Sequence, residues 1–436
     1  MRARTKSVQD KNVIVLTSKE DYTRLDKTVK KRICAYVKFA QKKVPYYQAK
    51  FSGLSIGMAS FYKLPITCSS DLCKNPEAFI AEKDKIIQVA STGGTYNDRK
   101  LIFRTFSDIQ KSTATAKKMF LCSGIRSNDK VAILQPFDLW NVGHIALRAF
   151  QYINVFSCPF GISSIDADLL WFLERLKLNI IYGTPSRVIN IAGYLPQKRG
   201  VHLKEVLCAG EPITEWHRDR IYKSFGCEVF GIYGSEETDG IGAECKYHNG
   251  YHILDSYLII ELLNPTTLQP SNSKQGVLAV TNLDYRGTVL VRYLLDDIIE
   301  LYDSKCPCGI DAPRLKILGR RSETMFLYDA LKVPLVSIED AMKQALGYLP
   351  AYQIIVKNSN GGSLLLITIK HRDSMVIRKK LTSAIMMSIK QLTTVLEYIK
   401  GTRIRIIFTK DTSSFLTTKR GKIPKIINRG PYGEDR

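Results

Sequence analysis

Ile180-Ile181-Tyr182-Gly183-Thr184-Pro185-Ser186 opens the stretch whose reading decides the fold. Its first three residues form an apolar run of strand length, and Gly-Thr-Pro-Ser ends that run in a turn. The unit recurs downstream. Residues 206–208 are apolar and lead into Ala209-Gly210-Glu211-Pro212, and residues 228–232 lead into Tyr233-Gly234-Ser235. Helix-length segments, 189–195 and 215–224, lie between them. Upstream, residues 131–134 read as another buried strand and 168–177 as a helix. This alternation predicts an α/β layer with a largely parallel sheet. Ligands of such sheets bind at the carboxyl ends of the strands, and all three loops fall there.

The flanks read differently. Across residues 19–51, Leu25, Val29, Ile33, Val37 and Ala40 recur at spacings of three and four, as in a helix. From about residue 257 short strands and turns take over, at 257–263, 276–281 and 298–301, which predicts a β subdomain over about 257–318. After Gly319-Arg320-Arg321-Ser322 the pattern changes again. Segments 352–357 and 363–369 flank Asn360-Gly361-Gly362, a hairpin signal. A long amphipathic helix at 375–398 and a strand at 404–408 follow. The expected organisation is a large unit over 1–321 and a small α+β domain over 322–436.

Composition narrows the classes. A chain of 436 residues is long for one core, and 45% hydrophobic with 24% charged residues is globular rather than disordered. Residues 1–21 are polar, unlike a signal peptide. The longest apolar region, 169–182, is broken by Glu174, Arg175 and Lys177, short of the roughly 20 residues of a membrane span. The expected location is therefore cytoplasmic. The 64 basic against 41 acidic residues give +23, which favours anionic partners such as ATP, the phosphates of coenzyme A, or nucleic acid. The basic residues form no dense arm and no aromatic-interleaved stripe, which counts against nucleic acid.

Five motifs carry possible chemistry. In Ser91-Thr92-Gly93-Gly94-Thr95-Tyr96-Asn97-Asp98-Arg99-Lys100, small and hydroxylated residues let backbone N–H groups approach phosphate oxygens, although a Walker-type ending is missing. In Tyr233-Gly234-Ser235-Glu236-Glu237, an aromatic can stack on a base and a carboxylate can hold magnesium; the bland alternative is a turn and a solvated helix start. In Arg292-Tyr293-Leu294-Leu295-Asp296-Asp297, an Asp can accept hydrogen bonds from both ribose hydroxyls, or simply close a β-turn. Lys422, in Thr418-Lys419-Arg420-Gly421-Lys422, sits on a Gly-hinged loop that can bring it to a phosphate, or it belongs to a basic tail. Cys306-Pro307-Cys308-Gly309 is knuckle-shaped, and Cys245 precedes His248 and His252; two such pairs can hold a tetrahedral zinc ion, or stay as reduced cysteines.

In their order and spacing these motifs resemble the adenylate-forming superfamily of acyl-CoA synthetases, and more narrowly the phenylacetate–CoA ligases and related deazaflavin-adenylating enzymes. The resemblance runs from Val44-Pro45-Tyr46-Tyr47 to Lys422 and beyond, through Gly183–Ser186, Ala209–Pro212, Leu290–Asp297, the Cys306–Gly309 knuckle and Arg321-Ser322-Glu323-Thr324-Met325. It implies an α/β adenylate-forming fold with a large N-terminal domain and a small mobile C-terminal α+β domain. It implies that Ser91, Thr92, Gly93, Gly94 and Thr95 bind phosphate and that Gly210, Glu211 and Pro212 line the adenosine pocket. Tyr233, with Gly234 and Ser235, then lies beside adenine. Glu237 attends magnesium and the nucleotide, Asp297 the ribose. Glu323 marks the interdomain hinge and Lys422 serves adenylation. Cys245, His252, Cys306 and Cys308 match a zinc cluster of some members, with His248 the alternative histidine. Departures are the missing glycine after Thr95, where Tyr96 and Asn97 stand, Asp296 and Ala330 at common glycine positions, and Glu323 in place of Asp.

The implied reaction is ATP- and Mg2+-dependent conversion of a carboxylic acid to its acyl-AMP, followed by transfer to coenzyme A. A carrier protein or an amine is the alternative acceptor. Adenylation of a non-carboxylate molecule, or a non-catalytic basic binding protein on the same fold, are the competing readings. Phe137, Trp140 and His144, within 135–145, are expected to line a pocket for a flat aryl or arylacetic acid, unless Phe137 and Trp140 are core residues. A homodimer is one arrangement the reading admits.

Overall fold

The computed structural model describes residues 13–92, 99–164, 166–192, 202–321, 324–327, 331–359, 362–392, 402–411, 415 and 426–429. Contacts divide the chain into two compact units, Met1–Ile317 and Leu318–Arg436.

In the first unit, strand β1 (Ile14–Leu16) and the antiparallel pair β2 (Ile86–Ser91) and β3 (Leu101–Thr105) precede the α/β layer. That layer holds β4 (Lys130–Ile133), β5 (Phe156–Pro159), β6 (Ile180–Gly183), β7 (Glu205–Cys208) and β8 (Glu228–Ser235). They run parallel in the spatial order β5-β4-β6-β7-β8. Helices Val142–Ile153, Asp166–Leu176, Pro185–Ala192 and Glu215–Phe225 connect them. Every residue of β6 and β7 is buried, as expected where helices cover both faces of a parallel sheet. Helix Glu215–Phe225 begins where the Thr214 hydroxyl caps the His217 N–H and stops at Gly226, whose φ is +67°.

The sheet then continues through β9 (Asp239–Glu244), β10 (Tyr251–Ile253), β11 (Leu258–Leu263), β12 (Gln275–Asn282), β13 (Tyr293–Leu301) and β14 (Arg314–Arg320). Among the described residues this makes one sheet of twelve strands, in the order β1-β11-β12-β13-β14-β10-β9-β8-β7-β6-β4-β5. The strands expected to form a β subdomain thus prolong the main sheet. Two motifs for which a turn is the alternative reading lie inside strands. β8 continues through Tyr233, Gly234 and Ser235, and β13 contains Asp296 and Asp297. Gly234 marks a close approach of backbones, because a Cβ there would lie 2.0 Å from the Asp239 carbonyl oxygen.

The early helical region is three helices, Lys19–Arg24, Lys27–Lys43 and Pro45–Lys50. It breaks where Asp26 caps the Thr28 N–H and again at Val44, whose backbone is extended before Pro45. Ile33, Val37 and Ala40 point into the main core. A buried ion pair ties this region to the sheet. Arg292 Nε donates to both Glu261 oxygens at 3.0 and 3.2 Å, and the Tyr22 hydroxyl donates to Oε1 at 2.6 Å.

The second unit pairs β15 (Thr324–Leu327) with β16 (Leu331–Pro334). Its four-stranded sheet has the order β19-β18-β17-β20, with β17 (Tyr352–Ser359), β18 (Gly362–Lys370), β19 (Thr402–Thr409) and β20 (Ile426–Arg429). β17 and β18 form the expected hairpin; Asn360 and Gly361 of its turn lie outside the described residues. Leu381, Ile385 and Ile389 of helix Met375–Leu392 share a core with Ile354, Val356, Leu365 and Ile367. No helix among the described residues is long and apolar enough to cross a membrane.

Candidate functional site

The loops after β6, β7 and β8 emerge side by side, because Gly183, Cys208 and Gly231 are register neighbours. The first two are latched together. The Ser186 N–H and hydroxyl donate to the two Glu211 oxygens at 3.0 and 2.6 Å. Gly210, between strand and latch, has φ +87°, a left-handed backbone that glycine takes without strain. Glu211 and Pro212 are exposed beside it.

At the end of β8 the Tyr233 hydroxyl donates to Asp297 Oδ2 at 2.8 Å. Both residues are buried, and β8 and β13 are not neighbours in the sheet. The tertiary fold therefore joins the residue expected beside adenine to the one expected at the ribose. Asp296 has φ +71°, the left-handed region, which fits the glycine that the resemblance leads one to expect here; Asp tolerates that region better than most residues.

Glu237 follows in the turn from β8 to β9 and is buried. Its Oε1 accepts hydrogen bonds from the Lys100 ammonium and, at 2.9 Å, from the Tyr293 hydroxyl. Burial pushes this carboxyl up, but the Lys100 charge and hydrogen bond, with Tyr293 helping, outweigh it and hold Glu237 below the usual carboxylate range. Lys100 is fixed in turn: Thr92 N–H donates to the Lys100 carbonyl at 3.1 Å, and Lys100 N–H donates to the Thr92 hydroxyl at 3.2 Å. Ser91 is buried and its N–H donates to the Leu139 carbonyl at 2.8 Å. Gly93, Gly94 and Thr95, with Tyr96 and Asn97, lie outside the described residues, as do Glu323 and Lys422.

A buried polar network supports this turn. Arg104, 1% exposed, donates through Nη2 to the Glu236 carbonyl at 2.6 Å and to Asp239 Oδ1 at 2.7 Å. Asn141 donates from its backbone to the Glu236 carboxylate at 3.2 Å and from its side chain to Asp239 at 3.1 Å. Burial pushes Glu236 up to about 7 against the pull of Arg104. The two glutamates are thus a buried turn, not a solvated helix start. Sequence reasoning assigned no role to Lys100, Arg104, Asn141, Asp239 or Tyr293. Lys100 closes the quoted phosphate-loop stretch and was visible as a cation beside it; the others reach the site only through folding.

Phe137, Trp140 and His144 occupy the loop after β4 and the first turn of helix Val142–Ile153. His144 Nε2 lies 2.9 Å from the Phe137 carbonyl oxygen, and the two rings meet edge-on at 5.3 Å. Trp140 is 37% exposed, so it is not a core residue, whereas Phe137 leans on the core.

The Cys/His residues converge at a separate place. The ligand atoms of Cys245, His252, Cys306 and Cys308 all lie within 4.8 Å of one another. Cys245 Sγ is 3.6 Å from Cys306 Sγ, and Cys308 Sγ is 3.4 Å from His252 Nε2. His248 turns away, its Nε2 3.3 Å from Glu228. Burial, with Arg314 nearby, pushes His252 down to about 4, so its imidazole is neutral as a metal ligand must be. Its Nδ1 has no hydrogen-bond partner among the described residues. Three thiols and one imidazole at this spacing suit tetrahedral zinc. Gly309, with φ +81°, makes the knuckle turn.

No known protein-family profile matches the sequence, and no curated protein matches it. Solved structures do match. An open conformation of 2-hydroxyisobutyryl-CoA ligase, in complex with 2-HIB-AMP and CoA, superposes with a TM-score of 0.73 at 20% identity, covering 92% of this chain and 91% of that one. The fold is that of the adenylate-forming ligases. More distant likenesses are the amide bond synthetase McbA from Marinactinospora thermotolerans, with a TM-score of 0.53 at 14% identity over 79% of this chain and 69% of that one. A benzoate CoA ligase from Burkholderia xenovorans LB400 gives 0.51 at 17% identity over 78% and 68%.

Proposed function

We propose that this chain is an AMP-forming acid–thiol ligase that activates a carboxylic acid as its acyl-AMP and passes the acyl group to coenzyme A. The observation that carries the reading is the Tyr233–Asp297 pair standing with Glu237 at the carboxyl ends of the parallel strands, on an adenylate-forming fold. Tyr233 takes the adenine side and Asp297 the ribose hydroxyls. The Gly210–Pro212 loop, latched through Glu211 to Ser186, lines the adenosine pocket. Ser91 and Thr92, with the glycines and Thr95 that follow, bind phosphate. Glu237, a buried ionised carboxylate, fits the hard-oxygen preference of Mg2+. When bound, that ion neutralises phosphate charge during displacement at the α-phosphorus. Lys422 is assigned to the adenylation half-reaction and Glu323 to the hinge of a mobile second unit spanning about 322–436. Cys245, His252, Cys306 and Cys308 hold a structural zinc ion. The enzyme is placed in the cytoplasm.

Phe137, Trp140 and His144 favour an aryl or arylacetic acid, since two aromatic rings and an imidazole offer flat surfaces. The likeness to an amide bond synthetase supports a second reading, in which the acceptor is an amine. The test is pyrophosphate release over a panel of aryl and alkyl acids, with and without CoA. Acid-dependent release with thioester formation is expected. No release with any acid sinks the adenylating reading, and equal turnover of long-chain acids sinks the aryl assignment.

A further inference from the structure

We propose that Lys100 is a built-in counter-ion for Glu237, displaced only when a divalent cation arrives with a nucleotide, so that Mg2+ alone does not occupy this carboxylate. The inference deepens the nucleotide-binding reading and rests on it for the second ligand. The Glu237 side chain is 6% exposed and that of Lys100 19%, so both charges are largely out of water. A buried carboxylate with no partner is strongly unfavourable, and here the chain supplies the partner itself. The ammonium and the Tyr293 hydroxyl converge on the same oxygen, Oε1. That atom is already saturated with donors. A magnesium ion seeking it meets a positive charge at hydrogen-bond distance, and the two cations repel at close range in a poorly screened site.

A nucleotide changes the balance. Its phosphates give the displaced ammonium a new anionic partner, while the metal takes over Glu237. Lys100 is built for such an exchange. Two backbone hydrogen bonds to Thr92 hold its main chain beside the candidate phosphate-binding residues Ser91 and Thr92, and leave the side chain to turn. The ammonium therefore changes partner without the strand moving. Tyr293 stays on Glu237 in either state as a neutral donor, and it orients the carboxylate. Lys100 is on this view a positioning residue for metal and nucleotide together.

The test compares the full-length wild type with Lys100→Met and Lys100→Arg, using thermal unfolding in MgCl2 alone and calorimetric binding of ATP with Mg2+. MgCl2 alone should leave the wild type and Lys100→Arg unmoved and raise the melting temperature of Lys100→Met by about 3 °C or more, since the metal then answers an orphaned carboxylate. ATP affinity of Lys100→Met in Mg2+ should fall about tenfold or more. An equal MgCl2 shift in wild type and Lys100→Met, or none in Lys100→Met, overturns the proposal. Should Lys100→Met not fold without metal, recovery of structure in MgCl2 but not in NaCl of equal ionic strength supports it, and no recovery overturns it. Absence of ATP binding to the wild type would overturn the ligase reading instead, and the MgCl2 contrast would still decide the role of Lys100.

Discussion

The two ends of the parallel sheet each bury a glutamate, and they treat it in opposite ways. At the carboxyl end, Glu237 meets the Lys100 ammonium and the Tyr293 hydroxyl and stays ionised. At the amino end, Glu205 is the first residue of β7, its Oε1 has no hydrogen-bond partner among the described residues, and Lys204 comes no nearer than 4.0 Å. Burial therefore wins there and pushes Glu205 up to about 7. Burial acts in the same direction at both sites. What differs is a cation in contact, and the chain places one at the end where ligands of α/β sheets bind. The Cys/His cluster is a third case: four ligand atoms face one another within 4.8 Å, with Arg314 near enough to act on His252.

That contrast is most severely tested at the cluster. Wild type should carry the proposed zinc ion at about one per chain, and Cys306→Ser should lose it and lower stability by several kcal/mol or abolish folding. Metal analysis with thermal unfolding checks this; a metal-free, fully stable wild type would remove the structural-zinc assignment. Glu237→Gln should leave zinc content unchanged yet slow adenylate formation by about 10²–10³, through loss of the charge that attends metal and nucleotide. Acid-dependent pyrophosphate exchange reads the effect, and a near-wild-type rate would take Glu237 out of the mechanism.

Glu205 sharpens the comparison from the other side. Its carboxyl releases its proton near pH 7 in the folded chain but near its ordinary value of 4.5 when unfolded. The folded state thus holds an extra proton between those values. Its contribution is complete below about pH 4.5 and is lost as pH rises to about 7, a change of about 3 kcal/mol. Glu205→Gln should flatten that slope and stabilise the protein at pH 8, as denaturant titration at several pH values would show. A slope as steep as that of wild type would mean that Lys204 already answers the charge. The smallest effect belongs to Asp297→Asn, which keeps the shape and removes the charge. It should weaken ATP binding about tenfold, roughly 1.4 kcal/mol, in equilibrium titration. Unchanged affinity would separate Asp297 from the ribose.

Much of this was legible in the chain. The strands at 131–134, 180–182, 206–208 and 228–232 and the helices between the last three read correctly because strands covered by helices on both faces are short unbroken apolar runs, whereas helix Val142–Ile153 and the half-exposed edge strand Phe156–Pro159 went unread. The hairpin of the second unit announced itself through Asn360-Gly361-Gly362. At Tyr233–Ser235 and at Asp296–Asp297 a turn was the alternative reading, and in the fold strands run through both. Gly234 is there for a neighbouring backbone and Asp296 for a left-handed residue within a strand, and neither need shows in local spacing.

The sequence by itself determined the parallel layer, the order of its loops, and the residue types able to meet a nucleotide or a metal. Local periodicity and turn chemistry carry that information. Only the tertiary structure decided which of them meet. It joined Tyr233 to Asp297 and chose His252 over His248. It also set Lys100 against Glu237, across 137 positions of chain. Pairing over such a distance is settled by burial, since a charge removed from water must find its partner wherever the packed sheet brings one within reach.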